Sequence, residues 1–288
     1  MSFAATATGA TAPASYHVPA TLEEALALLA AGGTPLAGGQ DLVPQLTHGQ
    51  AAPSAIVDLR ALTALKALDA SGAELVVGAL VTHTQLERAV GLAPGWSLLA
   101  EAASRIGGGP QVRNFGTIGG AVCEARSAGD YLPCLVALGA RVRLSRAGGA
   151  TRELPVAELL PDGLAPGELL TAVIVPRQAG AARAAYEKLV FSDGCYGIAS
   201  VACVVTVNEG RVAAVSLVAG AATAGPLRLA AAEAALVGRP LDADALAAAA
   251  AAAVAAITSP LDDALADGAY RRRMVGVLVR RALVRCAA

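Results

Sequence analysis

Apolar residues recur at helical spacing between Thr21 and Ala31, where Leu22, Ala25, Leu26 and Leu29 share one face and Thr21 and Glu24 stand in the capping-box relation. The pattern predicts a helix there. Apolar runs too short for helices predict strands at Thr34–Ala37 and Ala55–Leu59. The first breaks at Gly38-Gly39, after which Asp41 is placed to cap a short helix from Leu42. Glu74–Ala79 reads as another strand, and Thr82-His83-Thr84-Gln85 repeats the capping-box spacing ahead of a helix. A helix at Ser97–Ile106 is stopped by Gly107–Gly109 and Pro110. A long glycine-rich passage then leads to a helix at Tyr131–Leu138 and to strands near Arg141–Ser145 and Leu170–Val175.

The last third changes texture. Extended runs at Ala185–Val190, Ile198–Val207 and Val212–Val218 are followed by helices at Pro226–Val237, Asp244–Ile257 and Ala269–Cys286. Asn208-Glu209-Gly210 is a hairpin signal between the second and third runs. This predicts a small antiparallel sheet backed by helices, an α+β layer separate from what precedes it.

A length of 288 residues favours two modest domains over one, and 55% hydrophobic residues suffice for a real core. No stretch reads as a membrane span, Ala245–Ile257 being too short and too weak. Met1–Ala14 lacks the basic and apolar blocks of a signal peptide and is expected to be a frayed tail. A cytoplasmic chain is expected. With 22 basic and 23 acidic residues the net charge is -1, which supplies no field for a nucleic acid. Six arginines between Arg271 and Arg285 are read most simply as a solvated helix face. The five cysteines form no CxxC pair or cluster, and His17, His48 and His83 are scattered, so no metal site is expected.

The motifs of independent hydrolytic, P-loop or Rossmann chemistry are absent. Two glycine turns remain: Ala37-Gly38-Gly39-Gln40-Asp41, and Gly116-Thr117-Ile118-Gly119-Gly120 about 80 residues later. Paired glycines let consecutive amides converge on an anion, and a following helix start adds a favourable dipole. Two such turns can grip a diphosphate from both sides. Taken singly, each is as well read as a plain tight turn.

The string Gln111-Val112-Arg113-Asn114-Phe115-Gly116-Thr117-Ile118-Gly119-Gly120 resembles the Q-[VI]-R-N-x-G-T-I-G-G-N segment of the flavin subunits of molybdenum hydroxylases, the xanthine dehydrogenase and carbon monoxide dehydrogenase family. Ala37–Asp41 is similar to that family's A-G-G-[QH]-S loop. Tyr186-Glu187-Lys188 resembles its Y-x-K strand, and Tyr270-Arg271-Arg272 its late Y-R-R helix. The resemblance implies an α+β fold: a two-part FAD-binding domain over 1–178, with subdomains at about 1–62 and 63–178, then an α+β domain of the carbon monoxide dehydrogenase flavoprotein type over 179–288.

It also implies a site. Ala37, Gly38, Gly39, Gln40 and Asp41, with Thr117, Ile118, Gly119, Gly120 and Ala121, would cradle the FAD diphosphate. Asp130 would hydrogen-bond the ribityl or ribose, Leu170 would border the isoalloxazine, and Lys188 would lie close to it. Tyr196 falls near an aromatic that covers one flavin face. Read without the resemblance, Asp130 is equally placed to cap a helix, Lys188 to be solvated, Leu170 to be core and Tyr196 to pack in the sheet.

Two departures from the pattern bear on the cradle. Asp41 stands where the family has serine, and repels a diphosphate unless it turns away to cap its helix. Ala121 stands where the family has asparagine. Beyond it, Glu124-Ala125-Arg126-Ser127-Ala128-Gly129-Asp130 replaces D-P-x-x-D, and Arg126 is read as exposed, with pairing to Asp41 or contact with the phosphates the alternatives. Replacement of Gly119 by valine is expected to strip the flavin and spare the fold.

The resemblance implies an electron relay with no catalytic residue of its own: FAD in this chain would take electrons from two [2Fe-2S] clusters of a small partner and pass them to an external acceptor. A large partner would carry molybdopterin, in a dimer of heterotrimers. Alternatives are a stand-alone flavin-dependent oxidoreductase of the same fold and a non-catalytic nucleotide-binding docking module. Substrate and final acceptor are not legible.

Overall fold

The computed structural model describes residues 14–89, 95–160, 162–178 and 182–287, so the expected frayed tail lies outside the described residues but for Ala14. The first layer holds β1 (Ser15–His17), α1 (Leu22–Ala30), β2 (Thr34–Leu36), α2 (Leu42–Thr47) and β3 (Ala55–Asp58). Its strands form a parallel sheet in the order β1-β3-β2. Thr21 starts α1 by accepting the Glu24 amide at 3.1 Å, and the Glu24 side chain reaches back past the cap to the Ala20 amide at 2.8 Å, so the predicted box is formed on one side only. Ala25, Leu26 and Leu29 then pack with Val57 and Leu59.

The second layer comprises β4 (Leu68–Asp69), β5 (Glu74–Gly78), α3 (His83–Glu87), α4 (Ser97–Ser104), α5 (Gly109–Phe115), α6 (Ile118–Glu124), α7 (Tyr131–Ala137), β6 (Arg141–Ser145), β7 (Thr151–Pro155), α8 (Val156–Leu159) and β8 (Leu169–Pro176). Its antiparallel sheet runs β4-β5-β8-β6-β7. The glycine-rich passage, for which the sequence pattern set no helix bounds, folds into α5 and α6. Gly108 adopts φ +82° just before α5, and Pro110 occupies its first turn, where a missing N–H costs nothing. Gly-Gly-Pro stops α4 and starts α5.

The third layer is β9 (Ala182–Val190), β10 (Gly197–Asn208), β11 (Arg211–Gly220) and β12 (Leu227–Arg228), followed by α9 (Ala230–Ala234), α10 (Ala243–Ala256) and α11 (Gly268–Ala287). The expected helix from Pro226 is corrected: β12 pairs with β11 at Val218 and Ala219 before the chain turns helical. The hairpin signal holds, with Glu209 at φ 50° and Gly210 at φ 74°.

This sheet is not a separate layer. Along β10, Ala199, Val201, Cys203 and Val205 face α10 and α11, whereas Ala202 and Val204 join the core of the second layer with Tyr186 and Val218. Both faces are dry, which explains an apolar run without alternation. At about 1.5–3 kcal/mol for each fully buried aliphatic side chain, the shared sheet binds the two parts firmly. The arginine row is likewise corrected at Arg271, which is buried. Its Nη1 donates to the carbonyls of Ile198 and Ala221 at 2.6 and 2.7 Å, tying α11 to the ends of β10 and β11. Among the described residues, no helix is long and apolar enough to cross a membrane.

Candidate functional site

The three layers meet at a cleft of about 490 Å³. Its wall takes Ala37, Gly38, Gly39, Gln40 and Asp41 from the first layer and Thr117, Gly119, Gly120, Ala121, Asp130 and Leu170 from the second. Tyr196 comes from the turn between β9 and β10.

The two glycine turns touch. A Cβ on Gly38 would collide with the carbonyl of Phe115 and fall 3.0 Å from Gly116 Cα, so only glycine allows the first turn against the second. Their amides differ. Those of Gly38, Gly39, Gln40 and Asp41 donate to no acceptor among the described residues. In the second turn, Ile118 donates to Val81 and Gly119 to Ala79, at 3.0 and 2.9 Å. Gly120 donates to Thr117 Oγ1 at 3.2 Å and Ala121 to the Thr117 carbonyl at 3.0 Å. The expectation of two equal amide nests is therefore corrected: the first turn offers four donors, whereas the second has spent those of Ile118–Ala121 on the chain just past β5 and on its own cap, and only its Thr117 amide meets no acceptor among the described residues. The helix-dipole reading weakens too, because α2 and α6 span six and seven residues.

Two expected residues lie off the wall. Ile118 is fully buried in the core of the second layer. Lys188 sits behind Asp130, its Nζ 2.9 Å from Asp130 Oδ2 and 3.0 Å from the carbonyl of Arg105. Tyr186, two residues earlier on the same face of β9, donates to Asp130 Oδ1 at 2.7 Å. The Y-x-K spacing thus delivers a hydroxyl and an ammonium to one carboxylate. Burial lifts the Asp130 carboxyl above its ordinary value, and Lys188 and Tyr186 oppose that shift. Asp130 makes no capping bond to α7.

Asp41 does not cap α2 either. Its Oδ1 instead accepts Arg126 Nε and Nη2 at 3.1 and 2.8 Å, and Arg126 Nη2 also reaches Glu124 Oε1 at 3.0 Å. The pairing alternative for Arg126 is the one observed, although its side chain stays 45% exposed.

Sequence reasoning passed over His83, which lines the cleft while 95% buried. Its Nδ1 lies 3.2 Å from Tyr131 Oη, and its amide donates to the Gly116 carbonyl at 3.1 Å. Burial, aided by the Arg113 charge, lowers its pKa from 6.5 to about 4, which keeps the ring neutral at pH 7. The available signal was the capping box at Thr82, since Thr82 bridges Thr117 and brings α3 beside the second turn. The Gly107–Gly109 run also does more than stop α4. Gly108 donates to the Gly194 carbonyl at 3.0 Å, and a Cβ on Gly107 would strike that carbonyl. This close approach holds the β9–β10 turn, and with it Tyr196, at the cleft.

The family model described as the FAD binding domain in molybdopterin dehydrogenase matches residues 10–178, and that of the CO dehydrogenase flavoprotein C-terminal domain matches 184–286. The chain belongs to the FAD-binding medium subunits of the molybdenum hydroxylases. It is 35% identical to the carbon monoxide dehydrogenase medium chain of Afipia carboxidovorans, over 95% of this chain and 96% of that one. It is 34% identical to the 6-hydroxypseudooxynicotine dehydrogenase complex subunit alpha of Paenarthrobacter nicotinovorans, over 94% and 93%. A crystal structure of Cu,Mo-CO dehydrogenase in its cyanide-inactivated form superposes with a TM-score of 0.90 at 33% identity, over 95% of this chain and 97% of that one.

A medium subunit of this family must seat a dinucleotide, and the cleft suits one. Open amides stand at Gly38–Asp41, bare Cα atoms line the opposite wall, and Leu169 and Leu170 supply apolar surface. A Cβ on Gly120 would meet only Thr117 Oγ1, at 3.1 Å, so a larger side chain there would fill the cleft itself.

Proposed function

We propose that this chain holds FAD in the cleft and relays electrons from the iron-sulfur clusters of a small partner subunit to an external acceptor. A large molybdopterin subunit would complete the heterotrimer, paired as a dimer of heterotrimers in the cytoplasm. The observation that carries the reading is the abutment of the two glycine turns, one with unspent amides, in a chain of this family. In this assignment Gly38–Asp41 donate to the diphosphate, while Gly119, Gly120 and Ala121 leave room for it. Leu170 and Tyr196 border the flavin ring. Asp130, anchored by Lys188 and Tyr186, presents a fixed carboxylate to the ribityl or ribose hydroxyls, and Lys188 acts through it.

Bound FAD supplies an acceptor and donor of one or two electrons. The chain's own residues bind and orient it. The charged groups of the wall are committed to partners, as Asp41–Arg126–Glu124, Asp130 with Lys188 behind it and Glu168 with Arg146 and Arg152, and His83 is kept neutral, so no free acid–base pair of charged residues stands ready for an organic substrate among the described residues. Near-equal identity to subunits of dehydrogenases named for different substrates agrees with a chain that does not choose the substrate.

The test is Gly120→Val in the chain purified with its partners. Flavin absorbance falls at least about tenfold relative to the iron-sulfur bands, while the melting temperature of the flavin-free chain is kept. Full flavin content in that variant would place the cofactor elsewhere.

A further inference from the structure

Asp41 ends the first turn, whose amides are open, and Arg126 lies on the opposite lip, between α6 and α7. The guanidinium meets Asp41 through both Nε and Nη2 and shares Nη2 with Glu124. All three side chains line the cleft, 35%, 45% and 32% exposed for Asp41, Arg126 and Glu124. An ion pair so exposed adds little to fold stability. Its place beside the open amides gives it a different consequence. An unpaired aspartate there would set a negative charge against any anion the amides accept, at a distance where partial burial leaves screening incomplete.

We propose that Arg126 is the counter-ion that makes Asp41 compatible with a diphosphate on the first turn, so that the two positions act as one unit in cofactor affinity. The proposal rests on the assignment of the cleft to FAD. The resemblance gives serine at position 41 and a different sequence around 126. A carboxylate introduced at the turn is thus answered, 85 residues later, by a cation on the facing lip. Arg126 in this role is a positioning residue: it withdraws the Asp41 charge and leaves the amides to bind.

The experiment is a double-mutant cycle on FAD affinity. The complex is stripped of flavin and titrated with FAD by fluorescence quenching, for the wild type, Arg126→Ala, Asp41→Ser and the double variant. Arg126→Ala weakens FAD about tenfold, and the defect shrinks as salt is raised, because the exposed carboxylate is screened. Asp41→Ser keeps the backbone amide that donates to the diphosphate and removes only the carboxylate, so adding it to Arg126→Ala restores affinity to within about threefold of Asp41→Ser alone. Melting temperatures of the flavin-free variants stay together, which separates the effect from misfolding. Unchanged affinity in Arg126→Ala would overturn the proposal. So would a double variant as weak as Arg126→Ala alone, which would make Arg126 a direct phosphate ligand. A wild-type complex that takes up no FAD would instead sink the assignment of the cleft and leave the ion pair without this meaning.

Discussion

The two glycine turns look alike in sequence and do different physical work. Around Gly38-Gly39 the absence of side chains lets one turn lie on another and leaves four amides unspent. Around Gly119-Gly120 the amides are consumed, and Gly119 is required by packing: a Cβ there would fall 2.7 Å from both Ala79 Cβ and Ala79 O. A Gly-Gly pair therefore marks close approach. Whether the approach is to a ligand or to the protein itself depends on where the N–H groups point. The first turn joins the rest of the cleft through exposed charges, whereas the second continues a core that runs through Asp130 to β9. Perturbing the first should cost binding, and perturbing the second should cost stability.

The largest expected loss lies deepest on the second side. Lys188→Met leaves the Asp130 carboxylate buried with Tyr186 as its one remaining side-chain hydrogen-bond donor among the described residues, and removing one member of a buried pair costs about 3–5 kcal/mol. Urea unfolding of the flavin-free chain reads it. A loss below about 1 kcal/mol would show that the two walls are not so different.

Next come the adjacent glycines, which divide the comparison within one turn. Gly119→Val drives a branched side chain into Ala79, an overpacking of about 3 kcal/mol, and lowers stability with or without flavin. The expectation that this substitution spares the fold is thereby reversed. Gly120→Val, one residue on, costs under about 1 kcal/mol in the flavin-free chain and is felt when FAD binds. Equal stability losses at both positions would erase the distinction.

Local chemistry made the elements legible. Thr82 with Gln85 and Asn208-Glu209-Gly210 each form within a few residues of chain, and the structure builds them as read, while Thr21 caps α1 but Glu24 takes the Ala20 amide instead of closing the box. The parts that were missed are set by distant partners. Helix α5 depends on Gly108 reaching positive φ against Gly194, and β12 forms because β11 offers an edge at Val218. The same divide runs through the site. The residues named from motifs all lie on the cleft wall except Ile118 and Lys188, but the use made of each was not named. Asp130 and Lys188 are 58 residues apart, and nothing in their own neighbourhoods says that they pair; Asp41 and Arg126, 85 apart, were matched as an alternative by their charges alone. His83 was passed over as one of three scattered histidines, because its burial against Tyr131 and Gly116 is made wholly by tertiary contact.

His83 gives the most direct test of the second side. Its folded pKa of about 4 lies below the value of 6.5 for the ordinary side chain. The unfolded chain therefore binds a proton first as pH falls. Stability from this group is complete above about pH 6.5 and is lost as pH drops toward 4, amounting to about 2 kcal/mol between pH 7 and pH 5. In flavin-free protein, His83→Gln should flatten the fall in unfolding free energy over that interval relative to the wild type. Parallel curves would mean that His83 is protonated as readily in the folded chain as in water. The junction under the second turn would then be wetter than its packing requires, and the two glycine turns would be alike in openness after all.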